Sequence, residues 1–379
     1  MSLRRIRCIG VATLVLLVAA RALSQDLAAN LREEIVMVPK PGLFTQQLET
    51  TYFRPAGNGP FPWVIINHGK AVGDPRFQPR ARYLSAAREL VQRGYAVVVP
   101  MRQGFSKSTG VYIAGGCNVT RNGQAQAEDV KATLQHFAAR PELDPQRVLI
   151  FGQSHGGLTT LAAGTLQLPG VRGLVNFAGG LKLDNCPGWE RELAQAFGRY
   201  GQATPLPALF FYGDNDSYWS PPVWQAMVQG YNAAGGQARV VAFGNFGHDA
   251  HDLFGSRAGV PIWLPEVERF VRELGLPFDK LSDIALPEHQ TPLPPATDFA
   301  PLADAAALPF VNASGREGYA KYLAAETPKA FAIGPNGAWT WRANMANAMP
   351  AALERCAEHG RGMACKLYAV DDRVVWNRD

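Results

Sequence analysis

The chain has 379 residues, of which 47% are hydrophobic and 18% are charged. This composition excludes a disordered or fibrous protein, and the length is sufficient for two domains with a sizeable core. The formal net charge is +5, but residues 1–24 hold four arginines and no acid, so the remainder carries +1. We therefore expect neither nucleic acid nor an anionic membrane surface as a partner.

Residues 1–24 have the pattern of an export signal. Three arginines within residues 4–7 precede the apolar run CIGVATLVLLVAA, and the small residues Ala22 and Ser24 flank one position, as signal peptidase requires. The apolar run is shorter than the roughly 20 residues that a membrane-spanning helix needs, which disfavours the alternative of an uncleaved anchor. The sequence therefore predicts a cleaved signal peptide, a periplasmic or secreted protein, and no membrane span after signal removal.

Cysteine usage agrees with export. Removal of Cys8 with the signal leaves four cysteines, an even number in an exported chain. We predict two disulfides, Cys117–Cys186 and Cys356–Cys365. The alternatives are free thiols and a metal site, but no Cys-x-x-Cys spacing occurs, and the thiols of exported proteins tend to oxidise.

Within residues 25–277, strand-like apolar runs alternate with helix-like segments. The runs are nearly continuous in Val, Ile and Phe, which indicates burial on both faces. Between them, segments such as RYLSAARELVQRG place Leu84, Ala87 and Val91 on one helical face. We predict an open α/β fold with a mostly parallel sheet and helices on both of its faces. The predicted strands cover residues 63–69, 95–100, 147–152, 173–179, 208–213 and 238–244.

The composition changes over residues 278–309, which are rich in proline and have no helical or strand period. We predict a semi-rigid linker there. Residues 310–379 are predicted to form a small α+β module. Its predicted elements are a helix at SGREGYAKYLAAE, a strand at KAFAIGPNGAWTW, a helix at MANAMPAALERCAEHG and a closing strand at KLYAVDDRVVW.

The run RVLIFGQSHGG ends a predicted strand with a serine between glycines. Gly152-Gln153-Ser154-His155-Gly156 matches Gly-x-Ser-x-Gly, the nucleophile elbow, in which a sharp strand-to-helix turn raises the serine oxygen above the sheet. The glycines are needed because a side chain would collide with neighbouring backbone in so tight a turn. The five-residue pattern alone is weak, but a strand precedes it and the helix-like GLTTLAAGTLQL follows. We predict Ser154 as a nucleophile.

A serine hydroxyl needs a base to take its proton and a carboxylate to orient that base. In this architecture the acid follows the serine in the chain, and the histidine follows the acid. Asp214 and Asp216 in LFFYGDNDSYW are the candidate acids, and we favour Asp216 because it lies further into the loop. Either aspartate could instead form or cap a turn.

The candidate bases are His248 and His251 in GNFGHDAHDLFG, and the residues alone do not separate them. The other histidines precede the acid or lie in the linker and the C-terminal module. A metal site at His-x-x-His, with Asp249 and Asp252 nearby, is an alternative, but no third ligand lies at an evident spacing. We therefore predict no metal and no cofactor.

Residues 35–277 resemble the dienelactone hydrolase-like branch of the α/β-hydrolases. The resemblance implies an α/β-hydrolase fold with a serine elbow, an Asn-Asp-Ser-Tyr acid loop and a Phe-Gly-x-Asp-x-His-x-Leu-Phe histidine loop. In this sequence those motifs select Asp216 and His251, and His248 falls on a variable position. His155 departs from the small or apolar residue that is usual after the nucleophile, and it could contact substrate. The similar segments are IINHG, PMRQGFSKSTG, GQSHGG, VNFAGG, YGDNDSYW and FGHDAHDLFGSRAGVPIW.

An oxyanion formed at Ser154 needs preorganised donors. We assign them to the backbone NH groups of His155 and of Lys70, which follows the strand WVIINHG; the loop after residue 70 could shift the second donor by one residue. Arg102, after the strand YAVVVP, is predicted to form a structural salt bridge, with contact to a substrate carboxylate as the alternative.

Residues 310–379 resemble a small cysteine-paired domain at the ends of exported bacterial proteins, which implies an interaction or stabilising module whose partner is unknown. The whole chain is thus predicted to be an exported serine hydrolase that cleaves a small-molecule ester or lactone through an acyl-enzyme. The alternatives are a peptidase of related fold, which uses the same triad, and a non-catalytic protein that binds envelope ligands on a hydrolase scaffold.

Overall fold

The computed structural model describes residues 27–71, 73–247, 249–285, 288–325, 327–343 and 345–377. The predicted export signal lies outside these residues, as does His248, one of the two candidate bases. None of the helices in the described part of the chain is both long and apolar enough to cross a membrane.

The larger sheet has eight strands in the order β1-β2-β4-β3-β5-β6-β7-β8. Strands β3 to β8 are mutually parallel, whereas the β1–β2 hairpin joins β4 through antiparallel pairing. The parallel strands end at one edge of the sheet, which is where ligands meet such folds. The strands are β1 Glu34–Lys40, β2 Gln46–Phe53, β3 Phe61–Asn67, β4 Ala96–Pro100, β5 Leu143–Gln153, β6 Val171–Phe177, β7 Pro207–Tyr212 and β8 Gln237–Ala242.

Helices cover both faces of this sheet, as predicted. Alternate strand residues point to opposite faces, so Trp63 and Ile65 join one hydrophobic cluster while Val64 and Ile66 join the other. Helices α2 to α5 pack on the first cluster, and α1 and α6 pack on the second. The helices are α1 Leu84–Val91, α2 Val119–Ala138, α3 His155–Gly164, α4 Trp189–Ala203, α5 Pro221–Ala233 and α6 Val260–Glu273.

All six predicted parallel strands are present, within a few residues at each end. The antiparallel hairpin of β1 and β2 is absent from the predictions, because its second strand, QQLETTYF, is polar in sequence. Its polar residues Glu49, Thr50 and Thr51 are nevertheless buried, and their side chains are hydrogen-bonded. The Ser108 hydroxyl accepts from the Glu49 amide at 2.9 Å and donates to Met101 O at 2.7 Å, and the Thr51 hydroxyl donates to Ala81 O at 2.9 Å.

The C-terminal sheet has four antiparallel strands in the order β10-β9-β11-β12. Two predictions need correction here. KAFAIGPNGAWTW is a hairpin rather than one strand, because Asn336 and Gly337, the latter at φ 81°, form a turn. KLYAVDDRVVW likewise turns at Asp371 and Asp372. The elements are α7 Ala313–Ala324, β9 Lys329–Ile333, β10 Trp339–Ala343, α8 Ala348–His359, β11 Lys366–Val370 and β12 Arg373–Val374.

The proline-rich segment between the two sheets contacts both domains, each through a different part of the segment. Its first part packs on the larger domain, where the amides of Leu281 and Ser282 donate to Gln92 O at 2.7 and 3.2 Å. Its later part packs on the smaller domain, where the Thr297 amide donates to Val374 O at 2.9 Å. Leu293, Phe299 and Leu302 contact the core clusters of that smaller domain.

Candidate active site

The serine elbow lies at the junction of β5 and α3. Ser154 has φ 55° and ψ −125°, a conformation that is strained for a residue with a side chain. A Cβ atom on Gly152 would lie 2.1 Å from Gly156 O, and one on Gly156 would lie 2.0 Å from Asn67 O. Both contacts are impossible, so the turn requires glycine at these two positions, as the sequence predicts.

Asp216 and His251 are in hydrogen-bonding contact at the same edge of the sheet. His251 Nδ1 lies 3.0 Å from Asp216 Oδ2 and 3.2 Å from Oδ1. The Asp216 side chain is fully buried, and its Oδ1 also accepts from the amides of Tyr218 and Trp219 at 2.8 and 3.0 Å. These three partners hold the carboxylate in one orientation, toward the imidazole. Asp214, the other candidate acid, is exposed.

The histidine loop is tied to both the acid loop and the elbow. Asp249 accepts from the amides of Ser217 and His251 at 3.0 and 2.9 Å, and from the Ser217 hydroxyl at 2.6 Å. Gln153, the residue before the serine, donates from Nε2 to His251 O at 2.9 Å. His251 is therefore held beside the elbow from two directions.

Asp249 enters the sequence predictions only as a neighbour of the histidines, and its clamp role is missed. The signal that could have found it is its place in the Phe-Gly-x-Asp-x-His motif. Tyr218 is also missed: its ring lies 4.5 Å from the His251 ring, centroid to centroid, and covers one face of the imidazole. Its exposed fraction of 38% leaves the outer face of the tyrosine open to a ligand.

The segments that carry the predicted oxyanion donors adjoin Ser154. The backbone of Gly69 approaches so closely that a Cβ there would lie 3.3 Å from Ser154 Cβ and 3.9 Å from Ser154 Oγ. Lys70 follows directly, and His155 is the first residue of α3. Within the described ranges, neither the Lys70 NH nor the His155 NH donates to a protein acceptor. Both amides are thus available to a ligand atom above Ser154.

Arg102 differs from its prediction. It is fully buried, and no carboxylate among the described residues lies within ion-pair distance of it. Its Nη1 instead donates to His68 O at 2.6 Å, and its Nη2 donates to His155 Nδ1 at 3.1 Å. Burial lowers the pKa of Arg102 to about 10, so the guanidinium remains charged at neutral pH. Fully enclosed by the protein, it does not reach a substrate carboxylate either.

His155 has both ring nitrogens occupied inside the protein. A guanidinium can only donate, so Nδ1 is the acceptor and Nε2 carries the hydrogen, which it donates to Asn122 Oδ1 at 2.7 Å. Burial, followed by the charge of Arg102, holds the pKa of His155 well below its usual range. The ring is buried and neutral, and its predicted alternative as a substrate contact is not met.

Both predicted disulfides are present. Cys117–Cys186 joins the loop before α2 to the loop before α4, and Cys356–Cys365 joins α8 to the segment before β11. The first bond fixes the loop that ends at Cys117. This loop contacts the hydrogen bonds around His155, because Asn122, which accepts from His155 Nε2, donates from Nδ2 to Ala114 O at 2.6 Å. No group of three potential metal ligands occurs in the described part of the chain.

The sheet order, the serine elbow and the acid and histidine loops define an α/β-hydrolase fold, so the predicted fold class and the resemblance on which it rests are confirmed. The sequence profile of the X-Pro dipeptidyl-peptidase (S15 family), itself an α/β-hydrolase family, matches residues 45–191, the part of the domain that contains Ser154. Among curated protein sequences, none is significantly similar to this chain.

Solved structures similar to this chain include hydrolases of several specificities. They include a protein assigned as a dienelactone hydrolase from Klebsiella pneumoniae (20% identity, TM-score 0.47, covering 64% of this chain and 98% of that one). The Pyrococcus furiosus esterase Pf2001 has 15% identity and a TM-score of 0.47, over 65% of this chain and 94% of that one. A puromycin-hydrolyzing peptidase of Mycobacterium tuberculosis has 20% identity and a TM-score of 0.47, and this chain spans only 40% of its length.

Proposed function

We propose that this protein is an exported serine hydrolase that cleaves a carboxylic ester or lactone. Ser154 Oγ attacks the carbonyl carbon while His251 Nε2 takes its proton, and the carbonyl oxygen becomes an oxyanion that accepts from the Lys70 and His155 amides. His251 then returns the proton to the leaving alkoxide, which departs as an alcohol from an ester, or remains as a hydroxyl on the acyl group from a lactone, and an acyl-enzyme is left. Water, deprotonated by the same imidazole, releases the acid and restores the serine.

The observation that carries this proposal is the contact between His251 Nδ1 and the buried Asp216, in loops tied to a strained serine. The carboxylate accepts the Nδ1 hydrogen, so Nε2 is the unprotonated nitrogen that a general base needs. A serine at φ 55° costs conformational free energy that a purely structural turn would avoid by using glycine. Together these features support a nucleophile and base rather than a vestigial scaffold.

Fluorophosphonate labelling tests the proposal. A fluorophosphonate phosphonylates only an activated serine, so we expect mass spectrometry to find the label on Ser154 in the wild-type protein and no label in Ser154→Ala. Ser282→Ala changes an exposed serine of the proline-rich segment that packs on the same domain; it is the matched control and should label fully. Absence of label from folded wild-type protein would overturn catalysis and favour the alternative of a ligand-binding protein.

A peptidase is the second candidate, and the match to the X-Pro dipeptidyl-peptidase (S15 family) over residues 45–191 is the observation that favours it. Ester and amide cleavage use the same three groups, so substrates must separate them. Short and long acyl p-nitrophenyl esters, lactones and X-Pro p-nitroanilides should be compared by kcat/KM. Preference for the anilides by more than about tenfold, after correction for the leaving group, would replace the esterase assignment.

Export is proposed on two supports. The sequence of residues 1–24 has the signal pattern, and two disulfides persist more readily outside the cytosol. Mass spectrometry of the N-terminus of the secreted or periplasmic protein should find cleavage after Ser24; a full-length N-terminus would contradict the signal assignment.

We propose a small-molecule substrate, and for the C-terminal module a stabilising or interaction role.

A further inference from the structure

Arg102 is a buried charge without a carboxylate partner in the described structure. Such a group lowers the stability of the fold unless its hydrogen bonds offset the free energy of desolvation. Three N–H donors of this residue bind two segments of the chain, one at His68 and one at His155. The backbone NH donates to His68 Nε2 at 3.2 Å, Nη1 donates to His68 O at 2.6 Å, and Nη2 donates to His155 Nδ1 at 3.1 Å. The face of Phe105 covers the guanidinium at 5.2 Å.

These two segments are the ones that carry the proposed oxyanion donors. The Lys70 NH lies two residues after His68, and the second donor is the backbone NH of His155 itself. Their sequence separation is large, so their spacing depends on tertiary contacts. Arg102 contacts both segments with one planar group, whose rigid fork of donors restricts the distance and angle between its two acceptors.

The contact with His68 also orients the Lys70 amide. Since Arg102 NH donates to Nε2 of His68, Nδ1 carries the hydrogen and donates to Gly69 O at 2.6 Å. Gln78 Nε2 donates to the same carbonyl at 3.0 Å, and Gln78 Oε1 accepts from the Ala71 amide at 2.8 Å. In a trans peptide the C=O and N–H point in opposite directions, so holding Gly69 O directs the Lys70 NH away from it.

The second donor is oriented in the same way. Ser154 O accepts from the Gly157 and Gly180 amides at 2.8 and 3.1 Å, which directs the His155 NH the opposite way within that peptide plane. The His155 ring is then fixed between Arg102 and Asn122. Each proposed oxyanion donor is therefore the N–H of a peptide whose carbonyl is held, and the two peptides are joined through Arg102.

We propose that Arg102 is a positioning residue that sets the spacing and orientation of the two oxyanion donors. This inference rests on the proposed function and deepens it. Arg102 does not touch the substrate; it acts through His68 and His155. The geometry predicts that its loss weakens the binding of the transition state more than the binding of the substrate, because the oxyanion exists only in the transition state and tetrahedral intermediate.

The test compares Arg102→Met and Arg102→Lys with the wild type. We expect kcat/KM for p-nitrophenyl acetate to fall about 10- to 100-fold in Arg102→Met, with KM within about threefold of wild type. The inhibition constant of a trifluoromethyl ketone, which forms a serine hemiketal with an oxyanion, should rise by the same factor. Arg102→Lys should not restore activity, because a single ammonium lacks the planar fork that spans both segments.

Arg140→Met is the matched control. Arg140 also lies over aromatic rings, 4.8 Å from Tyr52 and 5.0 Å from Phe137, but it contacts neither oxyanion segment. It should keep the kinetic constants and the inhibition constant of the wild type. A folded Arg102→Met that retains the wild-type kcat/KM, or that loses it without weaker binding of the trifluoromethyl ketone, would overturn the inference.

A second variant covers the case in which Arg102→Met does not fold. His155→Ala removes one acceptor of Arg102 and keeps the His155 amide, so a smaller, parallel change in kcat/KM and in the ketone inhibition constant is expected; no change in either overturns the inference. Fluorophosphonate labelling of the wild type distinguishes failure of the proposed function from failure of the role proposed for Arg102. If the wild type fails to react with fluorophosphonate, the proposed function fails; if it reacts and the variants behave as wild type, only the role of Arg102 fails.

Discussion

Gly156→Ala tests the close packing of the elbow against β3. A Cβ at this position would lie 2.0 Å from Asn67 O and 2.7 Å from His68 O, and both obstacles are backbone atoms. The carbonyl of Asn67 must move by about 1 Å before its contact with the new methyl group reaches 3.0 Å. Overpacking of a rigid site costs about 3 kcal/mol at the upper end of the usual range, so we expect an unfolding free energy lower by about that amount.

The same displacement should reduce activity, because the strand end that moves leads directly to Gly69 and Lys70. A shift of about 1 Å in catalytic geometry lowers rates on the order of 100-fold. Urea denaturation and p-nitrophenyl ester hydrolysis measure the two effects. Gly42→Ala is the control, since a Cβ there meets only Phe44 O at 3.5 Å, an ordinary contact. Wild-type stability and kcat/KM in Gly156→Ala would refute the steric account of the elbow.

Three further outcomes are expected. Asp216→Asn should lower kcat for ester hydrolysis about 10³- to 10⁴-fold in steady-state assays, because the imidazole loses the acceptor that selects its tautomer; a loss under tenfold contradicts the assignment. Cys117→Ser should lower kcat/KM by loosening the loop beside the His155 network, whereas Cys356→Ser, in the other domain, should leave it unchanged; equal effects would deny the first disulfide its role. The folded-state pKa of His68 and of His155 lies well below 6.5, owing to burial and then to Arg102, so only the unfolded chain binds these protons as pH falls. Urea titrations should therefore show stability falling below pH 6.5 by up to about 1.4 kcal/mol per histidine per pH unit, and a flatter slope in His155→Gln; an unchanged slope contradicts burial of a neutral ring.

Local features of the sequence were sufficient for much of the fold. The parallel strands are predicted because their apolar runs are buried on both faces, and the elbow is predicted because the collisions that demand Gly152 and Gly156 occur within one turn and its neighbours. The β1–β2 hairpin is not predicted, because the burial of its Glu49 and Thr51 side chains depends on partners from distant loops.

The site depended on more than local sequence. Asp216 is favoured by its place in the loop, but the residues left His248 and His251 open, and the family motif favoured His251. Arg102 shows most clearly what the sequence could not predict. A salt bridge is predicted for it, yet its acceptors are a carbonyl 34 residues away and an imidazole 53 residues away in the chain. Such partners become neighbours only after the sheet forms.

Each disulfide begins and ends inside one domain, and the proline-rich segment is bound to the larger domain up to about residue 284 and to the smaller one from about residue 290. A proteolytic cut between these two parts would consequently break no disulfide and would leave the hydrophobic clusters of each domain whole. Genetic exchange could act at the same point, so that a hydrolase acquires or discards its cysteine-paired companion in a single recombination event.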